Sequence, residues 1–202
     1  TEFENKIINI KNQIKKDDTI SNILNGYSIP FIIPKLENED IGTNIEEVFI
    51  PALQLSFKNE FEEFELINHI KNSLKNQLDS WTGSKYEKIT EKLKKQSITG
   101  LLFPSLNEFS FPAAIETVSK LPENIMLAGG YEIMSALIGS PSILRRDDGY
   151  PPLLWFSSLK NANDKNIGYH IEPYGYNLTI NRRAHIDSAA EYWWHSVVII
   201  ED

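Results

Sequence analysis

Residues 149–201 read GYPPLLWFSSLKNANDKNIGYHIEPYGYNLTINRRAHIDSAAEYWWHSVVIIE, and the fold turns on how this stretch pairs with itself. Leu153 to Ser157 is an apolar run entered through Pro151-Pro152, and residues 161–166 form a polar loop. Tyr169 to Glu172 and Tyr176 to Asn181 alternate in polarity around Pro173-Tyr174-Gly175, which is hairpin chemistry. Tyr192 to Ile200 is a last strand of aromatic and β-branched residues. Successive strand side chains face opposite ways, so Trp193 and Trp194 belong to different sides.

Upstream, the period changes. Phe3, Ile7, Ile10 and Ile14 step by four, three and four, which predicts an amphipathic helix over residues 2–16. Tyr27 to Ile33 reads as an edge strand, because Pro30 and Pro34 lack N–H donors. Thr43 to Glu46 has the form of a capping box, and Pro51 should end or kink the helix it opens. Phe61, Phe64, Ile67, Ile70, Leu74 and Leu78 predict a long helix, and Ser84 to Glu87 a second capping box before a Lys-rich helix. At Ile98 the character shifts to shorter apolar segments: a strand to Phe103 stopped by Pro104, a helix opened by Ser110-Phe111-Pro112, and a helix after Gly129-Gly130. The expectation is an α+β fold in one domain. A helix-rich part (1–97) packs on a C-terminal antiparallel sheet in a strand-rich part (98–202), with the helices on one face.

Composition narrows the function classes. The formal charge of −8 opposes a general grip on phosphates or on an anionic membrane surface, so neither nucleic acid nor membrane is expected as partner. The absence of cysteine excludes disulfides and thiolate chemistry and fits a reducing compartment. With no basic-then-apolar leader in TEFENKIINIKNQIKK, the expected location is the cytoplasm.

Three constellations could carry chemistry. In extended chain His170 and Glu172 share a face, as do His185 and Asp187. With His195 they form a candidate set for acid–base work or, less specifically, for a metal, although no recognised ligand spacing is present and no cofactor is implied. Arg145, Arg146, Arg182 and Arg183 hold all the guanidinium groups of a Lys-rich chain and are candidates for an anion site, with surface salt bridges as the plain alternative. Trp155, Tyr174, Tyr176, Trp193 and Trp194 are candidate interface aromatics, for which core packing is the competing fate. Two functions follow. One is a cytoplasmic binding protein without catalytic activity, an inhibitor or immunity-type factor whose partner is another protein. The other is an enzyme or ligand-binding protein using His170, Glu172, His185, His195 and the arginines on an anionic small molecule.

Overall fold

The final run WWHSVVII forms β10 (Trp193–Ile200), which lies in the interior of the main sheet in the computed structural model, whose described residues are 1–145 and 152–201. The sheet begins with β1 (Ile29–Ile33) and β4 (Ile98–Asn107) on one side of β10. It continues through β6 (Leu153–Trp155), β8 (Gly168–Tyr174), β9 (Asn177–Arg183) and β2 (Leu66–Asn68). β5 (Met126–Leu127) adds beside β10 opposite Val197 and Val198. A separate two-stranded ladder joins β3 (Leu78–Ser80) to β7 (Leu159–Asn161).

The architecture is α+β, as the pattern of segments predicts, but the sheet is mixed rather than purely antiparallel. β10 runs parallel to β6, and β2 runs parallel to β9. The helix-rich first part also contributes β1 and β2 to the sheet. Helices cover both faces instead of one. On the first face, Leu102, Leu154, Ile171, Ile180 and Val198 pack in one core with α2 (Ile41–Asn44), α3 (Ile50–Glu60), α4 (Glu87–Leu93) and α6 (Gly130–Gly139). On the other, Leu101, Phe103, Val197 and Ile199 meet α1 (Glu2–Lys16) and α5 (Phe111–Ser119). α1 buries Ile7, Ile10 and Ile14, the stripe its spacing predicts, and each such side chain contributes roughly 1.5–3 kcal/mol.

Several local expectations change. Residues 61–78 are not a helix: α3 stops at Glu60, and the chain passes through β2 and a series of turns before β3. Short polar side chains hold those turns. Asn68 Oδ1 accepts from Ile70 N–H, Ser73 Oγ from Lys75 N–H, and Asn76 adopts a left-handed backbone with φ 56°. The first capping box is displaced: Asp40 caps α2, accepting from Thr43 N–H at 2.7 Å, while Glu46 accepts from Leu74 N–H at 2.7 Å. The second is replaced by backbone turns, with Tyr86 preceding α4 and offering no side-chain cap. Pro51 neither ends nor breaks its helix. A turn of π-helix (Ile45–Phe49) comes just before it, with Ile50 N–H donating back to Ile45 O, and α3 continues. Pro104 likewise sits inside β4, where the pairing steps from Leu106–His195 to Pro104–Ser196 and leaves Ser105 as a bulge.

The close approach of α2 to the 70s turns depends on Gly42, where a Cβ would fall 1.8 Å from the Leu74 carbonyl oxygen. At Gly139 an added Cβ meets nothing within 4 Å. Gly42→Ala should therefore lower unfolding stability by about 3 kcal/mol or more, against a change within about 1 kcal/mol for Gly139→Ala, both read from urea midpoints.

Candidate functional site

Register places a row of side chains across one face of the sheet: His195 lies opposite Trp155, Trp155 opposite His170, and His170 opposite Asn181. The Trp155 ring sits 4.8 Å from that of His170 and 5.0 Å from Phe111 and Trp193, and Phe111 is in turn 5.0 Å from His195. Both imidazoles are wholly buried in this aromatic wall.

His195 is held at both ring nitrogens. The Phe109 carbonyl, 2.8 Å from Nε2, can only accept, so Nε2 carries the proton, and Nδ1 accepts from the Ser157 hydroxyl at 2.8 Å. Burial pushes its pKa down to about 4, so it is neutral across the physiological range. The Ser–His pairing resembles the first two members of a nucleophilic dyad, but Ser157 has no exposed surface, so it acts as a tie between the end of β6 and the loop before α5.

His170 Nε2 lies 3.1 Å from Glu172 Oε1, as their shared strand face predicts. Burial holds His170 below the usual imidazole range. Glu172 is pushed up by burial, but bonds from His170 and Arg183 outweigh this and hold it below the usual carboxylate range; Asn181 also donates to it. His185 does not join them. It is exposed in the turn after β9 with φ 64°. Among the described residues no three His, Asp or Glu side chains gather as metal donors.

The arginines separate too. Arg182 is exposed, Arg183 lies 3.5 Å from Glu172, and Arg146 falls outside the described residues. Arg145 goes elsewhere: its guanidinium sits 4.5 Å from the Phe61 ring centre, 4.8 Å from Phe64 and 5.5 Å from Tyr176. Phe64 and Tyr176 stack at 5.1 Å. The residues expected to lie on a helix stripe are thus aromatic plates for a cation.

Arg145 also lines a cavity of about 730 Å³. Its wall joins the end of α3 (Phe57), the turn after α6 (Leu144, Arg145), the β8–β9 tip and the entry to β10 (Glu191, Tyr192). At the tip Tyr174 pairs with Asn177 across Gly175, whose φ of 61° suits glycine. Tyr174, Tyr176 and Tyr192 remain 78%, 60% and 40% exposed. Of the expected interface aromatics, Tyr174 and Tyr176 therefore face the groove. Trp155 and Trp193 lie in the interior, and Trp194 is half-buried against the opposite core.

Sequence reasoning passes over one buried group. Glu132 follows Gly129-Gly130 in an otherwise apolar helix, and that lone charge is its signal. Its Oε2 accepts from Gly129 N–H at 2.7 Å, and burial raises its pKa to about 7. Comparison with protein-family models, with curated proteins and with solved structures gives no match. The site stands on its geometry alone.

Glu132 and His195 act oppositely on stability. A carboxyl raised from 4.5 to about 7 stabilises below about pH 4.5, and that contribution is lost as pH rises to 7. An imidazole lowered from 6.5 to about 4 stabilises above pH 6.5, and its contribution is lost as pH falls to 4. In the native chain the two contributions offset between about pH 4.5 and 6.5. In Glu132→Gln the carboxyl's opposing contribution is gone, and urea unfolding should show a loss of at least about 2 kcal/mol as pH falls from 6.5 to 4.5, with His170 acting in the same direction as His195.

Proposed function

We propose that this chain is a cytoplasmic binding protein without catalytic activity, of the inhibitor or immunity type, which holds another protein in the groove at the β8–β9 tip. The observation that carries this reading is the arrangement of three exposed tyrosines and a ring-stacked arginine around one cavity. Tyrosine and arginine are among the side chains that most often dominate protein interfaces: tyrosine offers large contact area with few rotors and a polar tip, and arginine a planar fork of donors that here is already held against rings. The groove residues also stand on ordered supports. Tyr176 is stacked on Phe64, and Glu65 N–H donates to Asn177 Oδ1 at 2.9 Å, so little ordering is needed on binding.

The second reading, an anionic small molecule held by Arg145, draws on the cavity's volume and on a guanidinium with no carboxylate partner among the described residues. Glu172 and Glu191 line the same cavity and would repel an anion, which favours the protein reading. The net charge of −8 supports a protein partner over nucleic acid or a membrane.

A photo-crosslinking amino acid placed at position 174 and expressed in the native host should give one discrete protein adduct, and Tyr176→Ala should remove it. The same group at position 27, on a tyrosine 86% exposed and away from the groove, should give none. Adducts of equal yield from both positions, or from neither, would contradict the reading. Once the partner is in hand, Tyr176→Ala should weaken binding by about 2 kcal/mol, roughly thirtyfold.

A further inference from the structure

Resting on the groove reading, we infer that the partner is a basic protein, which offers the groove a segment carrying lysine or arginine beside apolar side chains. The segment packed under Arg145, next to the residues that line the cavity, supplies the reason. Residues 60–65 read EFEEFE, and the chain turns there so that Phe61 and Phe64 go under Arg145 while Glu60, Glu62, Glu63 and Glu65 stay exposed. This segment is fixed against the hairpin tip: Leu178 N–H donates to Glu65 O at 3.0 Å, beside the bond from Glu65 N–H to Asn177. Glu191, also exposed, adds a carboxylate from the cavity lining.

The nearby cations offset these carboxylates only in part, three positive charges against Glu60, Glu62, Glu63, Glu65, Glu172 and Glu191. Lys58 donates to the backbone carbonyl of Glu62, Arg183 is engaged by Glu172, and Arg145 is sunk over three rings. None of Glu60, Glu62, Glu63, Glu65 or Glu191 has an ion pair among the described residues. Carboxylates spaced within about a Debye length of one another, roughly 8–10 Å, sum to a negative field that attracts a cationic surface and speeds its docking. The exposed ring of Tyr174 adds a second attraction for the same groups, since an ammonium or guanidinium stacks on an aromatic ring. A second copy of this chain would bring like charges together and is disfavoured by the same field.

The test pans a displayed library of random dodecapeptides against the whole chain. The expected winners combine Lys or Arg with aromatic or apolar residues. Their binding to the unaltered chain should weaken as salt rises from about 0.05 to about 0.5 M, and at low salt it should weaken at least about tenfold in Glu62→Lys/Glu63→Lys/Glu65→Lys. A charge-matched control, Glu2→Lys/Glu87→Lys/Glu91→Lys, alters exposed residues that do not line the groove and should change binding less than about twofold. Equal losses in the two triple variants would mean that net charge and not this segment draws the peptides, and would overturn the inference. Neutral or acidic winners that still depend on Tyr174 and Tyr176 would overturn the basic partner and leave the groove reading standing. Winners indifferent to Tyr174 and Tyr176, or a groove-dependent dimer of the chain, would overturn both.

Discussion

The neutral imidazole of His195 is the constraint around which the second face of the sheet closes. An uncharged ring donates to one loop carbonyl and accepts from one hydroxyl, so it joins β10 to the end of β6 and to the loop before α5 without bringing a charge into the interior. Because β6 pairs parallel to β10, these two strands are not joined by a hairpin, and side-chain bonds of this kind help to fix their register. Phe111, at the start of α5, then covers both His195 and Trp155. The face that carries His170 and His195, two of the chain's four imidazoles, is in this way sealed against solvent.

With that face sealed, the open recess lies at the sheet's far end. There the β8–β9 tip, the end of α3 and the turn after α6 meet around a cavity whose rim is aromatic and acidic. Glu172 connects the two regions, facing the cavity while it receives the His170 bond from the interior. The same carboxylate cannot easily serve as a free acid or base, since His170, Asn181 and Arg183 all converge on it. Preorganisation of this kind suits recognition: the groove's polar groups are fixed before anything enters, and the exposed rings have few rotors left to freeze.

The late strands were legible because period-2 alternation, Gly175 and the β-branched end of the chain all agree on extended structure. Trp193 and Trp194 do fall on opposite faces, and His170 does meet Glu172. The parallel pairings were not legible, because nothing in β6 or β10 says which distant strand lies beside it. The Ser157–His195 bond was therefore hidden as well. Residues 61–78 misled for a different reason. Their apolar spacing fits a helix, but Asn68, Ser73 and Asn76 offer the backbone local bonds that turns satisfy better; Leu74 and Leu78 of the supposed stripe are buried all the same, joined by Leu66 from off it. Arg145 looked like one of four interchangeable guanidinium groups, and its separation from the others became visible only once Phe61 and Phe64 turned toward it.

Nitrogen-detected NMR of the histidine rings tests most directly whether the imidazole row is an interior wall. The account predicts that His195 shows the Nε2-protonated neutral form and holds it as the sample is acidified to about pH 5, with protonation only as pH approaches 4. A His195 ring that titrates near the ordinary value of 6.5, or that carries its proton on Nδ1, would contradict it and reopen that face as a site for chemistry.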